Sequence, residues 1–337
     1  MSVLSTIDEP AVITSAVSTP RPAFTLVRTI LYRFASALFV LWGTVTITFL
    51  VLTTLPGDRA TILLNITSGQ AIERTPEELA PINALYGFDR PVLEQYVHYV
   101  LGLLRGDLGL SYELQRPVLN IIGEQIAPTF TLAVSALVLA WAFTVPWTLL
   151  TAGRGRRIGS VGSATETIMA GLPQYWVGIL LLIVFAVQFR WFPVIGGTGC
   201  AGTVLPTITL AIPLAGFLGQ SIRSEFDRTM HEPFVLSARA RGMSRAGVRA
   251  RHVLRHALIP GITLSGWAIG HLLSGTVLVE TVFARPGLGF VLVNAVSNKD
   301  FALVSGILIL NSFLYVVINL IVDMIYLAVD PRLRSAT

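Results

Sequence analysis

The chain has 337 residues, 53% of them hydrophobic and only 13% charged, with a formal net charge of +5 and a mean hydropathy of +0.70. A soluble domain carries roughly a quarter charged residues, so a water-soluble globular protein is excluded and an integral membrane protein is indicated. The single cysteine, Cys200, excludes an intrachain disulfide.

Residues 1–27 are rich in Ser, Thr, Pro and Ala, with Asp8 and Glu9 near the start and no basic n-region. They read as a disordered cytoplasmic tail rather than a cleavable signal peptide, with the first span as an uncleaved signal. A membrane domain follows over 28–334. Runs near the ~20 apolar residues that cross a bilayer fall at 34–55, 130–150, 168–189, 203–222, 257–279 and 301–322. Backbone groups in lipid must be satisfied within each segment, so the runs are expected to be helical and the fold an all-α membrane protein of six transmembrane helices.

Between spans one and two lies an external segment, 56–127. Asp89-Arg90-Pro91 predicts a helix start with a capping carboxylate. Val92, Leu93, Tyr96, Val97, Val100, Leu101 and Leu104 then recur on one helical face, with Arg105 and Asp107 closing it. A second helix is expected from Pro117 to Ile126, leading into span two. The amphipathic helix reads either as a platform for an external partner or as a lid that only packs.

Arginine placement sets the expected orientation, because cytoplasmic flanks hold the positive charge. With both termini inside, 16 of the 24 Lys and Arg residues are cytoplasmic, while the five in 56–127 are outnumbered by nine acids. That asymmetry explains the net charge and leaves a nucleic-acid partner without support.

The cytoplasmic loop 225–256 separates spans four and five. Pro233 suits a first helical turn; Phe234, Leu236, Ala238 and Ala240 alternate with Ser237, Arg239 and Arg241, and Gly242 is placed to end the helix. A second, basic helix is expected from Ser244, carrying Arg245, Arg249, Arg251, His252, Arg255 and His256, to Pro260. Positive charge between spans explains the second helix by topology alone. It does not explain the small-residue rhythm 237–242, which suits a groove on a partner.

Inside the spans, Asn311, Tyr315, Asn319 and Asp323 follow at i+4 spacing on one stripe of span six, expected to face inward as packing contacts or as a translocation pathway. Gly266, Gly270 and Ser274 give span five a small face for close approach. His271 beside it is the single intramembrane imidazole. Glu166 and Glu280 stand near span ends and are expected to meet headgroup water, with no special role.

Enzyme chemistry finds no constellation. Lys299 is the only lysine and no Gly-Lys pair exists, which excludes a P-loop. His231-Glu232 lacks the second histidine of a zincin, since 235 is Val, and there is no Gly-x-Ser-x-Gly elbow. No metal site and no catalytic residue are expected.

Several motifs together carry a resemblance. They are Pro56-Gly57-Asp58, Asp89-Arg90-Pro91, Gly106-Asp107-Leu108-Gly109, Arg116-Pro117-Val118, Leu172-Pro173 and Phe192-Pro193. Further on come Ser237-Ala238-Arg239-Ala240 with Gly242, Ile259-Pro260, Glu280-Thr281-Val282-Phe283, Pro286-Gly287-Leu288-Gly289 and Asp330-Pro331-Arg332. With them the chain resembles the membrane-spanning permease subunits of ABC importers, in the dipeptide, oligopeptide and nickel group, over roughly 28–334. Leu236 stands where the wider superfamily carries the acid that names its EAA loop, and Pro233-Phe234 where an acidic-tyrosine pair is frequent.

The resemblance implies a type I ABC importer permease fold in a bacterial inner membrane. It implies as partners a second homologous permease, two cytoplasmic ATPase subunits and an extracytoplasmic substrate-binding protein. ATP and Mg would be bound by the ATPases, with no cofactor in this chain. Phe234, Ser237, Ala238, Arg239, Ala240, Arg241 and Gly242 would couple to the ATPase. The cargo implied is a di- or oligopeptide; nickel chelates or another small solute are the alternative. A stand-alone ion-coupled carrier would need coupling charges in mid-membrane, and the chain offers little beyond Asp323 and His271.

Overall fold

A computed structural model describes residues 22–54, 58–70, 72–196 and 199–329, without the side-chain surroundings of 22–30, 67, 322–323 and 325–329. The tail before residue 22, Pro56-Gly57, the Asp330-Pro331-Arg332 motif and the Asp323 side chain lie outside the described residues. The described residues form helices and no strand; one isolated antiparallel bridge joins Leu110 and Pro117.

The first span is α1 (Pro22–Thr54), a peripheral helix with only 11% of its apolar window buried. Three helices follow: α2 (Arg59–Ser68), α3 (Pro76–Tyr86) and α4 (Val92–Leu104). Thr75 caps α3 in a capping box with Glu78, Pro76 occupies its first turn, and Gly87 closes it at φ +67°. The N-cap of α4 is Pro91 with no side-chain cap bond, so Asp89 does not cap this helix as the sequence predicts. Tyr96 and Tyr99 of α4 pack on Phe49 of α1, whereas Leu93, Val97, Leu101 and Leu104 stay exposed. The helix expected at 117–126 is the first part of span two itself, α5 (Val118–Thr151).

The third span, expected at 168–189, carries a sharp bend near its start. α6 (Arg156–Gly171) and α7 (Gln174–Leu181), which continues as a π-helix over Leu182–Gln188, meet at 96°. Leu172-Pro173 makes the corner: proline lacks the N–H a helix needs and pushes the preceding residue to extended backbone, where Leu172 sits at ψ 126°. Among the described residues five helices are long and apolar enough to cross a membrane, or six if the bent pair is one span.

The centre is α8 (Gly199–Thr229), with 56% of its apolar window buried. Leu210, Leu218, Ile222 and Phe226 are fully buried in the main core, against α5, α6, α7 and the fifth span. After α8 come α9 (Pro233–Ala240) and α10 (Arg245–Val248), then a π-turn over Arg249–Val253 leading directly into α11 (Leu254–Val282). α12 (Leu288–Ser297), an apolar helix of 10 residues, packs between α11, α5 and the last span, α13 (Phe301–Val329). At 1.5 Å per residue α12 reaches only about 15 Å, half a bilayer, which is why no span-length search finds it.

Candidate functional site

α9 is stopped by a left-handed glycine. Gly242 stands at φ +86°, its N–H bonds Arg239 O at 2.9 Å, and Met243 N bonds Ala238 O at 3.3 Å, a Schellman closure that satisfies the last carbonyls. Ser244 then caps α10 by accepting from Gly247 N at 3.1 Å. The helix has two faces. Val235 and Ala238 are buried in the core of this chain, so Ala238 has no surface to offer a partner. Phe234, Ser237, Arg239, Ala240 and Arg241 are exposed, and Leu236 is 72% exposed. Phe234 also lies 5.2 Å from the ring of His256.

Behind α9 a polar network ties the loop to the bundle. Arg249 is 9% exposed and donates to Leu149 O and Ala152 O, both at 2.5 Å, so a cation closes the C-terminal end of α5 where carbonyls lack helical partners. The same guanidinium lies 5.7 Å from the centre of the Phe226 ring. Asp227 of α8 accepts from Gly153 N at 3.1 Å.

One layer deeper, Arg223 of α8 grips Glu166 of α6 with two bonds, Nε to Oε2 at 2.6 Å and Nη2 to Oε1 at 2.7 Å, and also donates to Thr151 of α5. Glu166 is 1% exposed, which corrects the expectation that it meets headgroup water. Glycines make this crossing possible: a Cβ on Gly216 would strike the backbone of Ala170 and come 2.7 Å from Glu166 O, and one on Gly162 would strike Arg223 and Thr151.

The other end of the bundle has its own buried carboxylates. Glu280, fully buried and again not in water, accepts from Thr129 Oγ1 at 2.7 Å, Gly289 N at 2.7 Å and Phe290 N at 3.3 Å. It thereby satisfies the orphan N–H groups that open α12 and pins them to α5. Asp300 accepts from Ser111 Oγ at 2.5 Å and Glu113 N at 3.2 Å, and from Leu303 N at 3.1 Å at the start of α13. No sequence motif for catalysis or metal binding picks out these acids. The available signal was glycine on the facing helix: Gly216 and Gly219 beside Glu166, Gly287 and Gly289 beside Glu280.

The predicted pathway residues divide. His271 is exposed and stacks on Trp267 at 4.9 Å and 11°, while Trp267 meets Phe217 of α8 at 5.3 Å. Ile259, Ile262, Trp267, His271, Ser274 and Leu278 share one exposed stripe of α11. On α13, Asn311 and Asn319 are half-buried, Asn319 Nδ2 donates to Tyr315 O at 2.8 Å, and Tyr315 is 45% exposed. Of the described residues in the stripe, this chain alone half-buries Asn311 and Asn319 and leaves Tyr315 partly open. Gly270 brings the two helices together, since its Cβ would come 3.0 Å from the Tyr315 ring. No group of three or more His, Cys, Asp or Glu residues that could hold a metal occurs among the described residues.

Comparison with known proteins covers nearly the whole described chain. Residues 144–335 match the family described as "Binding-protein-dependent transport system inner membrane component", and residues 26–133 match "Binding-prot-dependent transport system membrane comp, N-term". "Probable peptide ABC transporter permease protein y4tP" of Sinorhizobium fredii (strain NBRC 101917 / NGR234) is 34% identical over 316 residues, 90% of this chain and 98% of that protein. "Glutathione transport system permease protein GsiC" of Escherichia coli (strain K12) is 33% identical over 288 residues, 85% and 92% of the two chains. A solved structure titled "Crystal structure of an amino acid ABC transporter with histidines" covers 62% of this chain and 94% of its own, with a TM-score of 0.49 and 16% identity.

Proposed function

Because the chain belongs to the family of binding-protein-dependent transport system inner membrane components, the permease subunits of ABC importers, we propose that it forms half of a peptide-translocating pathway and is driven through α9 by ATPase subunits. It is a multi-pass inner-membrane transport subunit, not an enzyme. The observation that carries the coupling reading is the two-faced α9: Val235 and Ala238 seat it in the bundle, while Leu236, Ser237, Ala240 and the flanking arginines stand free. A short helix of small exposed residues presents little bulk, and one free leucine offers an apolar anchor to a cleft. The loop then faces the cytoplasm, in keeping with 16 of 24 basic residues on that side.

Force on α9 has a defined route. The Schellman closure holds α9 rigidly to α10, Arg249 joins the following turn to α5, and the Arg223–Glu166 pair joins α8 to α6. Rocking of this unit switches the pathway between two packings. The exposed stripe of α11 with His271, and the Asn311, Tyr315, Asn319 and Asp323 stripe of α13, are the faces a second permease and the cargo would share. An extracytoplasmic binding protein would deliver that cargo. Peptides, glutathione included, are the favoured cargo because the relatives named above carry those words. ATP and Mg belong to the ATPases.

The test is reconstitution with the ATPase subunits, the second permease and the binding protein. Gly242→Val forces a β-branched residue into φ +86°, where L side chains are strained, although open space surrounds the site. The variant should insert normally while ATP hydrolysis no longer drives uptake. Unchanged uptake per ATP would remove α9 as the lever, and sustained accumulation by the chain alone in vesicles would favour an ion-coupled carrier instead.

A further inference from the structure

Between α1, the loop after α3, α4 and the start of α13 lies a cavity of about 410 Å3, within the ~300–1,000 Å3 range of small-molecule sites. Its most unusual wall residue is Arg59. Of the five arginines in 56–127, Arg74, Arg90 and Arg116 pair with Glu78, Glu94 and Glu124, and Arg105 is exposed to water. Arg59 is half-buried, bonds only the neutral Gln95 Oε1 at 3.3 Å, lies 5.6 Å from the centre of the Phe88 ring, and has no carboxylate partner among the described residues. Burial pulls its guanidinium below the ordinary value, as expected for a cation held out of water without a counter-charge.

Four hydroxyl-bearing residues, Tyr86, Tyr99, Tyr112 and Ser305, line the same space. Tyr99 Oη is buried without a well-formed hydrogen bond: the Ser305 hydroxyl on the same wall offsets only part of the rise that burial gives its phenol, and Ser305 Oγ itself donates to Ala302 O at 3.0 Å. A buried hydroxyl held this weakly has donor capacity to spare, which a bound group would use. Burial, with the Asp300 carboxylate adding to it, pushes the Tyr112 phenol up to about 12, so it stays a protonated donor at any physiological pH. The one acid on the cavity wall, Asp107, spends Oδ1 on Gly109 N at 2.9 Å. The site is thus a set of donors beside aromatic walls, short of an anion.

We propose that this cavity receives the terminal carboxylate of a small peptide, held by Arg59 with the Tyr99 and Tyr112 hydroxyls beside it and the peptide's body against Phe49, Phe88 and Phe301. The proposal rests on the peptide-importer reading and adds a reception site on the delivery side of the bundle. The chemistry favours a carboxylate on a small solute over a lipid phosphate. Near the cavity, Ile47, Leu50 and Val51 of α1 are exposed on the outside of the bundle, whereas the cavity takes Phe49 and Leu52 of that helix. An arginine fork matches a carboxylate with two parallel bonds.

The full chain in neutral-lipid nanodiscs is titrated with trialanine and with trialanine amide by calorimetry. Trialanine should bind at least about ten-fold more tightly than the amide, since a charge-assisted bond to a guanidinium is lost. Arg59→Gln should abolish that preference, Arg59→Lys should retain part of it, and Arg105→Gln should leave it intact. Equal binding of acid and amide, an undiminished preference in Arg59→Gln, or displacement of trialanine by phosphatidylglycerol would each overturn the site. Those failures with ATP-driven uptake intact in the complete assembly would remove the cavity alone; absent uptake would remove the importer reading beneath it.

Discussion

Replacing Arg223 by Met would leave Glu166 without its cation at a position 1% exposed, where water cannot take over either of the two bonds of 2.6 and 2.7 Å. Breaking one side of a buried pair costs about 3–5 kcal/mol, most of it the desolvated charge left behind. No discount for solvent screening applies, because the arginine side chain itself is only 9% exposed. At about 1.4 kcal/mol per decade, the folded-to-unfolded ratio should fall by roughly two to four orders of magnitude. The partner substitution sharpens the test. Glu166→Met with Arg223→Met removes both charges, keeps comparable side-chain length, and leaves Thr151 Oγ1 its bond to Trp147 O at 2.7 Å. The double variant should lie within about 1 kcal/mol of the parent, since neutral replacement of a whole buried pair is often harmless. Unfolding in detergent with increasing denaturing surfactant, run as a double-mutant cycle, reads both quantities. A loss below about 1 kcal/mol for Arg223→Met, or a double variant no better than the single, would show that the pair is not holding α6 to α8.

Gly216→Ala should destabilise the α6–α8 crossing by about 1–3 kcal/mol in the same assay, because the new methyl meets backbone of Ala170 and Glu166 that cannot swing away. Gly219→Ala, which meets only the Glu166 side chain at 2.9 Å, should cost less, and a reversed order would refute the packing argument. Glu280→Gln should cost about 1–3 kcal/mol, since one amide oxygen replaces a carboxylate bonded to Thr129, Gly289 and Phe290. Hydrogen exchange at the first amides of α12 should quicken, with α13 unaffected. For Tyr112, burial and Asp300 raise the folded value to about 12 from 10.0, so its neutral form is favoured by the fold. That contribution is complete below pH 10 and is lost as pH rises toward 12, by on the order of 2–3 kcal/mol. Tyr112→Phe should flatten this alkaline limb, and an unchanged limb would assign the loss to another group.

What could be read from residues alone was set by range. Hydropathy located the membrane helices because a span must be apolar over its own length, and Gly242 was legible because only a local backbone rule is needed to stop α9. The Leu172-Pro173 corner was present in the text too, but a window tuned to ~20 apolar residues averages through it. Glu166 and Glu280 were misread for a different reason. Each is satisfied by a residue more than fifty positions away in sequence, Arg223 57 positions on and Thr129 151 positions back. A single sequence does not display such pairings, and an acid near a span end looks the same whether it meets water or an arginine. Ala238 fits the expected small-residue helix by type, yet the helix phase turns it into the core, so residue type alone cannot separate the two faces of α9.

The arrangement of buried charges also limits where motion can occur. Arg223–Glu166 and Arg249 fasten α5, α6, α8 and the α10 turn at the end nearest α9. Glu280 and Asp300 fasten α5, α11, α12 and the start of α13 at the far end. Sliding any of these contacts by one helical turn would strand a charge in an apolar environment at a cost of several kcal/mol, so the fastened helices move together. On the importer reading, a displacement of α9 would pass through these fastened helices toward the exposed faces of α11 and α13. Those faces lack such locks among the described residues: Trp267 and His271 make ring contacts, and Asn319 bonds its own helix. Contacts of that kind can be exchanged for contacts with a second subunit or with cargo without stranding a charge, which is the property a surface needs if it is to open and close.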